Sequence, residues 1–432
     1  MVPDPWLPAT HYESNTNMVF EFSTHQFPDP IRLSLRPEST AVALGSDRVF
    51  SFDGEGRLLT AYRDGGLVKR GFANRMLEKQ RDWSLGRPDS IRRDLTDDEK
   101  QRLVADVWGA IRGVLSALPA GTPPEAQRRL EQIAQWDGPA YERDRQRFLA
   151  VYTPVGILPP DQYLALVLQA TEGCHYNRCL FCDFYRGRRF RIKDETEFRA
   201  HIEVVQEFLG AGRRLRRTIF LADANALVVP QPRLVRFFEL MHEAFEIAPA
   251  PLSGAALSRW KAGHPEGVTG VYSFLDAFTS KKKTRDDFAE LAALGLRRVY
   301  IGLESGHVPL LRFLRKPSLP DDVRTVVRAA KAAGVRVGVI VMLGIGGDRY
   351  ATSHVADTVA AVNAFDLGAD DILYLSEFVD EPESEYDTAA RASGLRPLTG
   401  EEMQAQANAI RAGLRFAQAP RISTYDIREF IY

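Results

Sequence analysis

Six short apolar segments between residues 163 and 375 alternate with helical patterns, and this alternation constrains the fold more than any other feature. The segments are expected to be strands at residues 163–171, 217–222, 268–275, 298–303, 335–343 and 370–375. Apolar strands that alternate with amphipathic helices favour parallel strand–helix units. In parallel barrels, the residues that carry chemistry lie at the carboxyl ends of the strands. We therefore predict an α/β fold whose site lies at those ends.

The first third of the chain has a different pattern. Segments rich in β-branched and aromatic residues fill residues 18–72, with DGEG at 53–56 and DGG at 64–66 as hairpin turns. Thr96 and Glu99 then have the spacing of a capping box, and a helical apolar period follows. We predict three regions: a separate β-then-α domain of unknown role at 1–155, the strand–helix core at 156–390 and a helical extension at 391–432.

Composition narrows the class of protein. A chain of 432 residues is too long for one ordinary domain. A formal net charge of −1 argues against a basic field over the whole chain, so nucleic acid is not an expected partner. We find no apolar run long enough to span a membrane. Residues 1–15 lack the charged region and apolar core of a secretory signal, and the chain is expected in the reducing cytoplasm.

All three cysteines lie close together, in the run EGCHYNRCLFCDFY. Thiolates at such short spacing are typical of a metal site. Structural zinc requires four ligands and a closed iron–sulfur cluster requires four cysteines. Cys174, Cys179 and Cys182 would leave one iron of a four-iron cluster open to a substrate or cofactor. The alternatives are three inert buried cysteines, or a zinc site completed by His175, although adjacent residues rarely both reach one ion.

The spacing C-x4-C-x2-C, with Phe181 before the third cysteine, resembles the radical SAM superfamily, in particular the subgroup with an Elp3- and coproporphyrinogen-oxidase-like core. The resemblance covers roughly residues 160–390. It continues through FLADANAL at 220–227, LGLRRVYIGLESG at 294–306, LRKP at 314–317 and VIVMLGIGG at 339–347. It implies a partial (β/α)6 TIM-type barrel, one [4Fe–4S] cluster on Cys174, Cys179 and Cys182, and S-adenosylmethionine as cofactor.

The resemblance also implies contacts with S-adenosylmethionine near the cysteines. Phe181 would pack near the adenine, and the backbone around Asp183 would hydrogen-bond it. Tyr185 is a further candidate. The alternative for Phe181 is an ordinary core aromatic residue.

Further candidates follow the later strands. Asp223 and Asn225 end the second predicted strand, where the family often binds the methionine amine; the alternative is a helix N-cap. Glu304 ends the fourth predicted strand, where burying a carboxylate costs free energy unless it is paired. Its carboxylate would accept hydrogen bonds from ribose hydroxyls or from the methionine ammonium. Its alternative role is structural. Gly302 would let the backbone approach the cofactor, and Gly346 would lie beside adenine or form a simple turn.

The implied function is reductive cleavage of S-adenosylmethionine, with the 5′-deoxyadenosyl radical acting on a small-molecule substrate and electrons coming from a donor such as flavodoxin or ferredoxin. Tyr374 and Glu377, near the end of the sixth predicted strand, are catalytic candidates by position alone. Two other functions stay open. One is a haem-handling or accessory protein that binds the cluster and S-adenosylmethionine without turnover. The other is RNA modification through the basic runs 186–193 and 212–217, whose alternative is solvated surface.

Overall fold

The computed structural model describes residues 10–14, 17–82 and 89–432, and the side chains of 17–80 and 91–432. Backbone contacts divide the chain into two compact units. The first comprises the described residues up to Pro154 together with Glu203–Arg217 and Ile431–Tyr432, and the second comprises Val155–Ile202 and Thr218–Phe430. The segment on which the expectation about a secretory signal rests lies largely outside the described residues.

The first unit contains a nine-stranded antiparallel sheet in which each strand pairs with the next one along the chain. Its strands are β1 (Thr10–Ser14), β2 (Asn17–Phe22), β3 (Ile31–Arg36), β4 (Ser39–Leu44), β5 (Arg48–Asp53), β6 (Leu58–Arg63), β7 (Gly66–Arg70), β8 (Met76–Asp82) and β9 (Asp89–Asp94). In β4 every second side chain is buried, because successive side chains point to opposite faces of a sheet. The predicted β-meander is confirmed and extends beyond both of its predicted ends.

Three helices complete the core of this unit: α1 (Asp97–Ser116), α2 (Pro124–Ile133) and α3 (Gly138–Val151). α1 begins with the predicted capping box, in which the Thr96 side chain accepts from the Glu99 amide. Buried residues of α1 share one apolar core with buried residues of the sheet, among them Leu103, Val107, Ile111, Phe50 and Phe52. The β-then-α order expected for this region is confirmed.

The second unit is built on parallel strands. Its strands are β10 (Leu166–Gln169), β11 (Thr171–Glu172), β12 (Arg191–Ile192), β13 (Ile219–Ala222), β14 (Val271–Phe274), β15 (Leu296–Glu304), β16 (Arg336–Leu343), β17 (Ile372–Glu377) and β18 (Arg421–Tyr425). β11 and β12 pair with each other. The other seven form one parallel sheet in chain order.

Helices follow the strands of this sheet, as a partial (β/α) barrel requires. They are α4 (Glu195–Leu209), α5 (Gln231–Ala244), α6 (Gly254–Gly263), α7 (Ala277–Ser280), α8 (Arg285–Ala293), α9 (Val308–Phe313), α10 (Pro320–Ala332), α11 (Gly347–Asn363), α12 (Glu385–Ala392) and α13 (Gly400–Gly413). The predicted fold class, an α/β partial barrel preceded by a β-rich region, is confirmed. No helix in the described part of the chain has the length and apolarity that crossing a membrane requires.

The carboxyl-terminal region corrects one expectation. Residues 391–432 were expected to be a helical extension, but they also supply β18, which pairs in parallel with β17 and becomes the seventh strand of the sheet. β18 is a polar edge strand in which only Tyr425 is fully buried. It therefore lacks the apolar run that marks the six predicted strands.

Candidate functional site

A cavity of about 590 Å³ lies within the second unit. Its lining includes residues at or just after the carboxyl ends of the sheet strands, among them Asn225, Asp276, Glu304, Glu377 and Tyr425. This is the end of the barrel where the sequence predicted the site. The volume lies in the range of small-molecule binding sites, about 300–1,000 Å³.

All three cysteines line this cavity as free thiols. Burial raises the pKa of Cys179 to about 11 and that of Cys182 to about 12. A metal ligand must be a thiolate, so these buried groups need a strong positive partner to ionise. In the described ranges, no three His, Cys, Asp or Glu side chains are grouped so as to hold one metal ion. A four-iron cluster does not need that convergence, since each thiolate binds a different iron.

The loop that carries the cysteines is held by its own side chains. Asn177 lies in the long first gap of the motif and has a left-handed backbone with φ of 45°, which asparagine tolerates. Its amide nitrogen is 3.4 Å from Cys174 Sγ, and its Nδ2 donates to the Tyr185 carbonyl at 2.8 Å. Arg186 Nη2 donates to the Cys179 carbonyl at 2.9 Å. The extra residue of the C-x4-C spacing is therefore accommodated in a tight, hydrogen-bonded turn.

His175 does not join the cysteines as a fourth ligand. Its ring stacks on Phe278 with centroids 5.1 Å apart and planes at 19°. Its Nε2 lies 3.6 Å from Asp276 Oδ2, and burial lowers the pKa of its imidazole. The zinc alternative therefore gains no support from the position of His175.

Phe181, Asp183 and Tyr185 all line the cavity, and their contact with S-adenosylmethionine stays a prediction. Phe181 also packs against a small apolar cluster, so its two interpretations do not exclude each other. Tyr185 is buried, and its phenol opposes the burial that raises the pKa of Asp223. Asp183 lies 3.3 Å from Arg186 Nε.

Glu304 enters the cavity through an irregularity of β15. The register with β16 shifts between Gly302 and Glu304, and Glu304 has a φ of 61°. Such bulges redirect side chains next to functional sites. Glu304 Oε1 accepts from Lys316 Nζ at 2.8 Å. A Cβ atom at Gly302 would lie 2.0 Å from that oxygen, so only glycine allows the carboxylate to take this position.

Lys316 is a cavity residue for which no sequence pattern predicts a role. Burial alone would lower the pKa of its ammonium, but Glu304 and Cys179 raise that pKa above its ordinary value. The lysine is therefore charged, and it lies 5.9 Å from the centroid of the Phe181 ring. Its ion-pair partner, Glu304, lies 12 residues earlier in the chain at the end of β15. No local sequence pattern reveals this pairing.

Asp223 and Asn225, the two candidates after β13, lie in different surroundings. Asp223 is 3% exposed, does not line the cavity, and accepts from the Gly173 amide at 3.1 Å. Burial raises its pKa to about 6. Asn225 lines the cavity, donates through Nδ2 to Asp276, and makes no N-cap hydrogen bond. Asp223 therefore ties the strand end to the cysteine loop, whereas Asn225 belongs to the cavity wall.

Asp276 is a second cavity residue that sequence reasoning missed. It follows β14 and caps α7, because its Oδ1 accepts from the Thr279 amide at 2.7 Å. Its Oδ2 accepts from Thr279 Oγ1 at 2.6 Å and contacts Asn225 Nδ2. A polar residue directly after a predicted strand was the available signal, since the same signal indicated Asp223.

Of the three remaining predicted residues, Gly346 and Tyr374 lie outside the cavity lining and Glu377 lies within it. Gly346 has a φ of 82° at the start of α11, and its amide donates to the Tyr386 hydroxyl at 2.8 Å, as the alternative of a simple turn predicts. Tyr374 donates its hydroxyl to Asp161 at 2.7 Å. Glu377 lines the cavity and pairs with Arg428 at 3.0 Å.

The basic run 186–193 is largely neutralised by nearby carboxylates. Arg191 and Lys193 both pair with Glu172, at 2.7 and 2.6 Å, and Arg191 also pairs with Glu197. These contacts favour the interpretation of the run as ordinary surface.

Comparison with known proteins finds a family model that matches part of the chain. The model of the radical SAM superfamily matches residues 168–358. No curated protein matches the chain. Solved structures similar to parts of it include the cobalamin-dependent S-adenosylmethionine radical enzyme OxsB, with 15% identity, 58% of this chain and 31% of that chain covered, and a TM-score of 0.35.

Two other solved structures give comparable values. Coproporphyrinogen III oxidase (HemN) from Escherichia coli has 13% identity, covers 62% of this chain and 55% of that chain, and has a TM-score of 0.40. The radical S-adenosylmethionine methyltransferase TsrM from Kitasatospora setae has 17% identity, with 61% of this chain and 43% of that chain covered, and a TM-score of 0.36. The matched part thus spans between 31% and 55% of the length of these structures.

The family match covers the cysteine motif and the strand ends that form most of the cavity wall. It does not distinguish the subgroup predicted from the C-x4-C-x2-C spacing, which stays a prediction. Residues 168–358 therefore match the model of the radical SAM superfamily, whose members use a [4Fe–4S] cluster and S-adenosylmethionine.

Proposed function

We propose that this protein is a radical SAM enzyme that acts on a small-molecule substrate. Cys174, Cys179 and Cys182 would hold one [4Fe–4S] cluster, and S-adenosylmethionine would bind beside it. The observation that carries the proposal is that all three cysteines of the chain line one cavity at the carboxyl ends of the barrel strands.

The residues that line the cavity fit both the [4Fe–4S] cluster and S-adenosylmethionine. Three thiolates satisfy three irons and leave the fourth for the amine and carboxylate of S-adenosylmethionine. The bound cluster and cofactor supply the electron transfer and the radical, and the protein supplies binding, orientation and shielding. The cavity has room for a drug-sized ligand.

Residues around the thiols would orient the cofactor. Phe181 and Tyr185 offer aromatic surface to the adenine, and the backbone at Asp183 offers hydrogen bonds. Lys316 occupies Glu304 Oε1, so Oε2 is the oxygen that would accept from a ribose hydroxyl or an ammonium. Gly302 keeps the space in which this carboxylate lies.

The substrate is proposed to be small rather than RNA. The site is a cavity within one unit, and Arg191 and Lys193 of the basic run already pair with carboxylates. Glu377 remains the candidate for contact with substrate, since Tyr374 binds Asp161 instead. We also propose a reducing cytoplasmic location, because the cysteines are free thiols, and reduction by a flavodoxin or ferredoxin.

Anaerobic reconstitution tests the proposal. We expect about four irons per chain and broad visible absorption. A variant with all three cysteines changed to alanine should lose both while keeping the circular dichroism spectrum of the folded chain. Stoichiometric zinc without iron, in protein made under anaerobic and iron-replete conditions, would contradict the cluster assignment.

A further inference from the structure

Two segments of the second unit meet beside the cysteines. The Leu180 amide donates to the Leu314 carbonyl at 2.9 Å, and the Tyr176 hydroxyl donates to the Arg315 carbonyl at 2.8 Å. These two contacts flank Arg178, which lies within the cysteine motif. The loop that holds the thiols therefore shares a surface with the segment that follows α9.

Four arginines define this surface, which we call the arginine face: Arg178, Arg186, Arg312 and Arg315. Arg186 is half-buried and the other three are exposed. Arg186 and Arg315 each lie 3.4 Å from the same carboxylate, Glu385. The Arg315 amide donates to the Arg312 carbonyl at 3.0 Å. The four arginines therefore belong to one continuous stretch of surface.

The charge of this region differs from that of the whole chain. Segments 174–189 and 305–317 carry seven arginine or lysine residues and one aspartate, a formal charge of +6, whereas the whole chain has a net charge of −1. In the described part of the chain, no carboxylate lies within ion-pair distance of Arg178 or Arg312. An exposed guanidinium of this kind is available to a carboxylate of another molecule, and arginine is enriched in protein interfaces.

An acidic segment limits the arginine face on one side. Residues 380–387 contain five aspartate or glutamate residues and no lysine or arginine. Of these, Glu385 contacts the face through Arg186 and Arg315. A partner with an acidic patch is attracted by the arginines and repelled by the acidic segment, and the two effects together fix its orientation.

The acidic border also favours a compact protein over a nucleic acid. A long polyanion gains affinity from basic groups along its whole length, and here it would extend over carboxylates. A small protein with a confined acidic patch covers the arginines without doing so.

We propose that the arginine face docks a one-electron carrier protein that presents a patch of carboxylates around its redox centre. The proposal rests on the proposed function, which requires an electron but does not specify where it enters. Arg178 directly precedes Cys179, and Arg186 Nη2 donates to the Cys179 carbonyl at 2.9 Å. A carrier on this face therefore lies against the loop that holds the cluster. One electron leaves the carrier, which is oxidised, and reduces the cluster, and no bond to the protein forms or breaks.

The test compares a carrier protein with a small reductant. Cluster-loaded protein is mixed in a stopped-flow spectrometer with flavodoxin hydroquinone, or with reduced methyl viologen, a small cation that needs no docking surface. The double variant Arg178→Gln, Arg312→Gln should lower the second-order rate constant for flavodoxin roughly fivefold to tenfold at an ionic strength of about 0.01 M. The rate constant for methyl viologen should not fall.

Binding is measured separately from electron transfer. Titration of the oxidised, cluster-loaded protein with oxidised flavodoxin should show an affinity that is lower in the double variant by a similar factor. The difference between wild type and variant should shrink as the ionic strength rises to about 0.15 M, because salt screens exposed charges.

The matched control is Arg233→Gln with Arg328→Gln. These are exposed arginines on the outer helices α5 and α10, likewise without an ion pair among the described residues. An equal loss in the control, an equal loss with methyl viologen, or unchanged flavodoxin kinetics and affinity in the double variant overturns the proposal. An oligouridylate that binds the wild type more tightly than flavodoxin does, and loses affinity in the double variant, overturns it in favour of RNA.

Arg312→Gln alone serves if the double variant does not load iron, and it should lower the flavodoxin rate constant roughly twofold to threefold. Iron content is measured for every sample. A wild-type protein that binds no iron contradicts the proposed function and the docking with it. A cluster-loaded wild-type protein that methyl viologen reduces and flavodoxin does not contradicts only the docking.

Discussion

The two units of this chain both bury polar groups, but they satisfy them differently. In the first unit, Arg57 is 2% exposed and lies 3.0 Å from Asp144 and 3.6 Å from Asp53. It also donates to the Phe208 carbonyl at 2.7 Å. In the cavity of the second unit, Asn225 Oδ1 and the ring nitrogens of His175 have no partner among the described residues. Burial alone therefore does not mark a functional site, whereas buried polar atoms without a partner in a cavity wall leave hydrogen bonds for a ligand or water to make.

The first-unit network illustrates the structural use of charge. Arg70 lies 3.7 Å from Asp144 and donates twice to Asn74, so its guanidinium is also held by several partners. A buried network of this kind contributes little net stability, but removing one member leaves the others uncompensated. The comparison therefore predicts large stability effects in the first unit and ligand-binding effects in the second.

The largest effect is expected for Arg57→Met. The variant leaves Asp53 and Asp144 buried without their main cation, and should lose about 3–5 kcal/mol of unfolding free energy in urea titration. Arg48→Met is the matched control, since the Arg48–Asp106 pair is exposed and should contribute about 1 kcal/mol or less. Equal losses in the two variants would contradict the structural role of the network.

Acidification should affect the second unit more than the first. Burial lowers the pKa of His201 to about 3 and that of His354 to about 4, both below the ordinary 6.5. The unfolded chain therefore takes up protons that the folded chain does not, and stability falls as the pH drops from 7 towards 4. We expect a loss of about 2 kcal/mol per histidine at pH 5.

Hydrogen exchange corrected for the intrinsic pH effect measures this loss. Exchange should accelerate at pH 5 in β10, where the Gln169 amide donates to His201 Nε2 at 3.0 Å. In the first unit, His25 is exposed, and it is the one histidine whose side chain the structure describes there. Equal acceleration in β4 and β5 would contradict the assignment of the effect to these two histidines.

Glu304→Ala should weaken S-adenosylmethionine binding by about 1.5–3 kcal/mol, which is roughly tenfold to a hundredfold. Glu304→Gln keeps one acceptor and should lose less. Because the alanine variant also leaves Lys316 unpaired, the double variant with Lys316→Met is the control for that effect. Calorimetric titration at matched iron content is the measurement, and unchanged affinity in Glu304→Ala would return this residue to a structural role.

The smallest effect on stability is expected for Glu377→Gln. Its pair with Arg428 is about half exposed on both sides, and such pairs contribute about 0.2–1 kcal/mol. Thermal unfolding should hardly change. If Glu377 contacts the substrate, product formation should fall in the same variant, and activity equal to that of the wild type would remove it from the candidates.

Local sequence patterns were sufficient to predict most of the fold. The strands of the partial barrel and the capping box at Thr96 depend on residues close in sequence, and both are confirmed. β18 was missed because an edge strand with only Ile422 and Tyr425 as large apolar residues carries no apolar run.

The part of the site that consists of one short sequence motif was predictable. The spacing of the cysteines predicted a cluster of thiols, and the thiols line one cavity. The contact of Glu304 with Lys316 and that of Asn225 with Asp276 depend on loops that meet in space, so sequence spacing could not reveal them. Asp223 was placed at the correct strand end, but its carboxylate is bound to Gly173.

Detection of 5′-deoxyadenosine tests the central claim most directly. The anaerobically reconstituted, reduced protein is incubated with S-adenosylmethionine, and the products are measured by mass spectrometry. The account predicts 5′-deoxyadenosine and methionine in equal amounts, formed even slowly without substrate and absent in Cys179→Ala. A wild-type protein that carries about four irons, binds S-adenosylmethionine and forms no 5′-deoxyadenosine would contradict the enzymatic function and favour a binding role without turnover.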